Sequence, residues 1–172
     1  MTQIISKLRG NTQIYTSLKL HIMALNFNQY ATEGNTFLND YAKQLNLGED
    51  TDKAGRIFSS IMHALREIIP TEESLQLIAQ LPMLLKAVYV NGWTIQKQKP
   101  KIRNMEQFIE LVRQFTGSSA VNDFGYENDL AENYIDVTFT YLRKYVSFGQ
   151  MGDIRDTLPK NLKSMIHSNL MF

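Results

Sequence analysis

The sequence predicts an all-α protein, a helical bundle formed by two tandem repeats of about four helices each. Two observations support this prediction. Apolar residues recur at spacings of three, four and seven along most of the chain, which is the period of an amphipathic helix. In addition, the pattern of residues 52–88 is repeated 77 positions later. With 172 residues the chain is long enough for one substantial apolar core, so we expect residues 27–170 to form a single domain.

The first repeat, residues 28–93, begins with two predicted helices. Apolar residues at helical spacing predict the first helix over residues 28–47, ending before Gly48, a residue type common just after a helix. The second has the clearest apolar stripe of the chain. We expect Asp52 to be its N-cap and Pro70 to end it.

Two shorter helices complete the first repeat. Thr71 begins the third, because the two glutamates that follow it are favoured by the helix dipole. The fourth follows Pro82 and ends near Gly92. Residues 94–104 are polar and basic with a central proline, which predicts a connector between the repeats.

The second repeat, residues 105–170, follows from the same offset of 77 residues. Residues 134–139 are locally prone to form a strand, but we interpret them as helix because the matching residues 57–62 are strongly helical. The identical pairs are Asp52 and Asp129, Ala54 and Ala131, Leu65-Arg66 and Leu142-Arg143, Leu81-Pro82 and Leu158-Pro159, and Leu85-Lys86 and Leu162-Lys163. Because such units rarely bury their apolar stripes alone, we expect the two repeats to pack together.

Residues 1–26 are predicted to be an N-terminal extension of the domain. They include basic residues and no acidic one, since the first carboxylate of the chain is Glu33. Two interpretations stay open: an extra N-terminal helix, or an artefact of start assignment with Met23 as the natural start. A targeting segment is the less favoured alternative.

The duplicated Leu-Arg and Leu-Pro pairs resemble a known family, the bacterial domain of unknown function 2267. The resemblance also includes Gln80-Leu81-Pro82 and Gly92-Trp93, and it covers residues 37–166. The second copy departs from the pattern, because it has Thr157 in place of Gln80 and no Gly-Trp pair after its last helix. The resemblance implies an all-helical fold and a bacterial setting, and it implies no activity.

Composition excludes several classes of protein. With no cysteine, the chain has no disulfide, thiolate zinc site or thiol nucleophile, which favours a reducing compartment and a cytoplasmic location. A net charge of +1 gives no overall attraction to nucleic acid or anionic membranes. No apolar run approaches the roughly 20 residues of a membrane-spanning helix.

We expect no enzyme activity, cofactor or metal. The sequence has no phosphate loop, nucleophile elbow, dinucleotide fingerprint or zinc-binding helix motif. His63 and Glu67 are one helical turn apart and could share a metal only with a further ligand, so we interpret them as a solvated pair on the helix surface.

The role that we expect is that of a non-catalytic interaction or scaffold domain that binds a protein partner or self-associates. Opposite charges are segregated along the chain, and we expect the basic connector of one chain to meet the acidic helix start of another. The acidic stretch begins at Asp123, and we interpret its carboxylate as part of a solvent-exposed helix face. The candidate interaction residues are Trp93, Lys97, Lys99, Lys101 and Arg103 on the basic side, and Glu127, Asp129, Glu132 and Asp136 on the acidic side.

Two alternative functions stay open. The first is single-stranded nucleic-acid binding, with Trp93 stacking on a base beside the lysines of the connector. The near-neutral net charge of the chain counts against nucleic-acid binding. The second is a small-molecule or lipid site between the repeats, which would require a deep apolar cavity.

Overall fold

The computed structural model describes residues 25–96 and 98–167, and these residues form eight α-helices and no strand. The prediction of an all-α fold is therefore confirmed, whereas the predicted extra N-terminal helix lies outside the described residues. Short 3-10 helices at Gly117–Ser119 and Lys160–Met165 complete the secondary structure. The α-helices are α1 (Phe27–Gln44), α2 (Thr51–Ile68), α3 (Thr71–Gln80), α4 (Met83–Val90), α5 (Met105–Thr116), α6 (Ala120–Phe124), α7 (Asn128–Leu142) and α8 (Phe148–Thr157).

The cap of α2 differs from the prediction. Asp50, not Asp52, is the N-cap, and its side chain accepts a hydrogen bond from the backbone N–H of Lys53 at 2.9 Å. Asp52 instead lies in the first helical turn, where the dipole still favours its charge. Likewise, Asp129 lies in the first turn of α7 and caps nothing. An N-cap residue must stand outside the helical conformation, and these two aspartates are already inside it.

Helix α2 is the centre of the bundle. It packs against α1, α4, α5, α6 and α7, with its most extensive contact on α5. Ile57, Ile61 and Met62 are completely buried between these neighbours. Each such side chain contributes roughly 1.5–3 kcal/mol relative to an exposed position.

An aromatic cluster joins the two halves of the chain. Phe37 and Tyr41 of α1 contact Phe58 of α2 and Tyr141 of α7, with ring centroids between 4.9 and 5.7 Å apart. Such pairs add about 0.5–1.5 kcal/mol each beyond simple burial. Buried residues from Phe37 to Ile166 thus form one continuous core.

The helix starts follow the offset seen in the sequence. Helices α2 and α3 begin at Thr51 and Thr71, and α7 and α8 begin 77 positions later, at Asn128 and Phe148. The last element departs from the expectation of four helices per unit, because the segment equivalent to α4 is a 3-10 helix. Residues 134–139 are helical, as expected. Duplication as the origin of this arrangement stays a prediction.

Candidate functional site

Trp93 is the predicted stacking residue, and the structure places it against the core. Its half-buried ring meets Tyr89 edge to face, with centroids 5.9 Å apart. The guanidinium of Arg66 lies 5.9 Å from the centre of the same ring. With these contacts already made, the packing of Trp93 does not favour stacking on a nucleic-acid base.

The basic residues of the connector have different environments. Lys99 Nζ donates a hydrogen bond to the carbonyl oxygen of Arg66 at 3.0 Å, which fixes the connector to the end of α2. Lys101 and Arg103 are exposed, and the backbone N–H of Arg103 donates to Gln107 Oε1 at 2.8 Å. Lys97 lies outside the described residues.

The predicted acidic residues are mostly on the surface, as expected. Glu127, Asp129 and Glu132 are exposed at the start of α7. Asp136 is half-buried, and its Oδ1 lies 2.5 Å from Nε2 of His167, a partner that the sequence did not indicate. Within residues 25–96 and 98–167 no three histidine or carboxylate side chains are grouped so as to hold a metal ion.

Asp123 was interpreted from the sequence as part of a solvent-exposed helix face, and this interpretation is wrong. Its side chain is completely buried and forms a two-pronged ion pair with Arg56, at 2.7 Å to Nε and 2.9 Å to Nη2. Burial acts to raise the pKa of Asp123, but hydrogen bonds from Arg56 and Asn122 outweigh it and hold that pKa below its ordinary value. This pair ties α2 to α6.

The expectation of a solvated His63 and Glu67 pair is also wrong. His63 is half-buried, with Nε2 2.8 Å from the carbonyl oxygen of Val88, and burial lowers its pKa. Glu67 is only 8% exposed. Both side chains turn inward because α2 is covered by helices on most of its circumference.

Arg66 is the buried cation at the centre of this region. Its Nη1 donates to the backbone carbonyls of Tyr89 and Asn91, the latter at 3.0 Å, and so satisfies acceptors at the C-terminus of α4. The rings of Trp93 and Phe115 lie 5.9 and 6.0 Å from its guanidinium carbon. The sequence identified Arg66 only as one member of a repeated Leu-Arg pair.

A pocket of about 590 Å³, here called the connector pocket, opens beside Arg66. It lies between the end of α2, the connector and one side of α5, so both halves of the chain line it. The lining combines the charged side chains of Arg66, Glu67 and Lys99 with Leu111, Gln114 and Phe115. The small-molecule or lipid alternative required a deep apolar cavity, whereas this pocket is open and has a mixed polar and apolar lining.

A second feature is an apolar surface on α4, here called the α4 stripe. Met83, Leu84, Ala87 and Val90 are exposed along one side of this helix, while its other side is buried in the core. Helix α1 approaches the stripe closely, since a Cβ on Gly34 would stand 2.7 Å from Leu84 Cδ1.

Comparison with known proteins identifies a family. Residues 34–165 match the model of a family described as Uncharacterized conserved protein (DUF2267), which confirms the resemblance seen in the sequence. No curated protein matches the chain. No helix among the described residues combines the length and apolar character needed to cross a membrane.

Proposed function

The chain belongs to the DUF2267 family, whose description assigns no activity, and we propose that it is a non-catalytic interaction domain that binds a protein partner through the α4 stripe. The observation that carries this proposal is an apolar helix exposed on the side facing away from the core. Met83, Leu84 and Val90 are 44%, 42% and 44% exposed. Contiguous apolar patches of this kind mark interaction surfaces on globular proteins.

The composition of α4 supports an interface. Lys86 is the only charged residue among its eight positions, so the exposed side lacks the charges of an ordinary wet helix face. Covering three half-exposed apolar side chains would contribute roughly 1 kcal/mol each. This stabilisation is modest for each residue and sufficient for a partner that adds contacts around the rim.

The partner that fits the stripe is a protein with an apolar helix face. A second copy of this chain is one such partner, because two identical stripes can pack around a two-fold axis. The predicted contact between connector and acidic helix start would add to that association. Within one chain, Lys101 and Asn128 line the same groove of about 760 Å³, so the connector and the start of α7 lie beside each other.

The two-repeat arrangement is part of this proposal. Helix starts separated by the sequence offset support it. The α4 stripe belongs to the first half alone, since the equivalent residues of the second half form a 3-10 helix that begins with Lys160.

A matched pair of variants tests the role of the stripe. Val90→Glu places a charge in the α4 stripe, whereas Leu75→Glu places the same charge on α3, where Leu75 is 59% exposed. We would measure the mass in solution by light scattering over a range of concentrations, at low and high salt. The same chains would serve as baits in a nuclease-treated lysate from the native host.

The expected result is association that Val90→Glu removes and Leu75→Glu preserves. Persistence of association at high salt would assign it to apolar contact, while loss at high salt would assign it to the charged residues. If both variants associate and capture the same proteins as the unmodified chain, the stripe is not the interface.

A further inference from the structure

Arg66 is buried without a full set of hydrogen-bond partners. Its side chain is 3% exposed, and among the described residues its hydrogen bonds involve Nη1 alone. The buried Nε makes none. Removing a guanidinium from water is costly unless other groups satisfy it, and burial lowers the pKa of Arg66 for that reason. Glu67, whose Oε1 lies 3.7 Å from Nε, offsets part of this cost, and an anionic ligand beside the guanidinium would offset more.

Lys99 adds a second cation at the same pocket. Its Nζ donates one hydrogen bond, to the carbonyl oxygen of Arg66, and an ammonium has further N–H donors to offer. Burial lowers the pKa of Lys99 as well. One buried cation, Arg66, and one exposed cation, Lys99, therefore line the connector pocket.

Glu67 restricts the kind of anion that fits. Its Oε1 lies only 3.7 Å from Nε of Arg66, so the pocket presents a negative charge next to its positive ones. A phosphate would be repelled by this carboxylate. A ligand that carries adjacent carboxylate and ammonium groups matches both charges at once.

The remaining lining is mainly apolar or amide in character, with one hydroxyl from Thr94. Leu111 and Phe115 of α5 offer contact to a ligand side chain, and the amide of Gln114 can donate and accept hydrogen bonds. The volume of about 590 Å³ is in the range of small-molecule sites.

We propose that the connector pocket binds a free α-amino acid. Its carboxylate contacts Arg66 and Lys99, its ammonium contacts Glu67, and its side chain lies against Leu111 and Phe115. This site is separate from the α4 stripe, so its test is independent of the test for a protein partner.

Calorimetric titration of the full chain with each of the twenty standard amino acids tests the site. At least one should bind, and Lys99→Gln should weaken that binding by about tenfold, equivalent to one lost charged contact. Lys101→Gln is the matched control, because it removes the same charge from the same connector outside this pocket. Binding should be unchanged in that variant.

Two analogues of the tightest binder test the proposed orientation. One lacks the ammonium group and the other lacks the carboxylate, and each should bind at least tenfold more weakly. Glu67→Gln should reduce the difference in affinity between the amino acid and the analogue that lacks the ammonium group. Thermal unfolding of each variant checks that the fold is intact, and Arg66 is left unchanged because it also satisfies the end of α4.

Three results would overturn the proposal. They are no binding of any amino acid, equal weakening by Lys99→Gln and Lys101→Gln, and equal or tighter binding of inorganic phosphate. The last result would identify a simple anion site instead.

Discussion

Gln150 of α8 donates a hydrogen bond from Nε2 to Oε2 of Glu73 in α3 over 2.9 Å, and the two residues are 77 positions apart. A second bond at the same interface joins the backbone N–H of Ser147 to Gln80 Oε1 at 2.7 Å. In units related by an approximate two-fold axis, equivalent residues meet at that axis. The contact between Glu73 and Gln150 supports the proposed duplication, and it joins the two units at α3 and α8.

We expect Glu73 and Gln150 to be energetically coupled. Replacing each by alanine, singly and together, should give a coupling free energy of about 1 kcal/mol, because Gln150 is 5% exposed and its partner carries a charge. Urea unfolding of the four proteins measures it. The control is the exposed pair of Gln29 and Glu33, which has the same chemistry within α1 and should show a smaller coupling.

Asp123→Asn should destabilise the fold and change its dependence on pH. Removing the buried carboxylate that pairs with Arg56 should lower the free energy of unfolding by about 2 kcal/mol. This is less than for a fully buried ion pair, because Arg56 is partly exposed. The folded pKa of Asp123 is lowered, so its contribution is complete above the ordinary value of 3.8 and is lost as pH falls through the folded pKa.

Unfolding free energies measured between neutral and acidic pH check this expectation. The curves of the original chain and Asp123→Asn should converge below that ordinary pKa. Asp156→Asn, at a carboxylate that is 73% exposed, is the control. Curves that stay parallel throughout would mean that the ion pair does not stabilise the fold.

Deleting the buried hydroxyl of Tyr41 and deleting that of Thr138 should lower the free energy of unfolding by different amounts. Thr138 Oγ1 donates to the carbonyl of Tyr134 at 2.6 Å, so its contact with Tyr41, at 2.5 Å, leaves the phenol as donor. Tyr41→Phe should cost about 1 kcal/mol, whereas Thr138→Val should cost about 2 kcal/mol because it leaves a buried phenol without an acceptor.

Denaturant unfolding of both variants measures the difference. Tyr126→Phe, at a tyrosine that is 82% exposed, should have no effect. Equal costs for the two buried positions would contradict the assigned direction of the hydrogen bond.

The effect of Gly34→Ala on the free energy of unfolding should depend on the residue at position 84. In a Leu84→Ala background, Gly34→Ala should stabilise the protein by about 1 kcal/mol, since alanine favours a helix and the crowded side chain is gone. In the original chain the gain should be smaller, because Leu84 Cδ1 must move away from the new Cβ. Thermal unfolding of the four proteins measures the gain in each background. An equal gain in both would rule out crowding between Leu84 and the new Cβ.

Much of the fold could be predicted from the sequence because apolar periodicity is a local signal. It located the α-helices other than α6, and the offset of 77 residues identified residues 134–139 as helix against their strand propensity. The cap of α2 was misplaced because Asp50 and Asp52 offer the same side chain two residues apart, and only backbone conformation separates them.

The inward polar residues could not be predicted in this way. Ser60, Arg66 and Glu67 are buried because helices from both halves cover α2, a property of the tertiary arrangement. The pair of Arg56 and Asp123 joins residues 67 positions apart and has no local signature. For the pocket, the connector residue Lys99 was predicted as a binding residue, but its association with Arg66 and Phe115 was not.

The shared core has a consequence for the protein during its synthesis. Tyr41 and Arg56 leave the ribosome before Thr138 and Asp123, the residues that satisfy them, have been made. A nascent chain that ends at the connector therefore exposes the aromatic residues of α1 and α2 to the cell. The core of the first half can therefore be completed only after α7 has emerged.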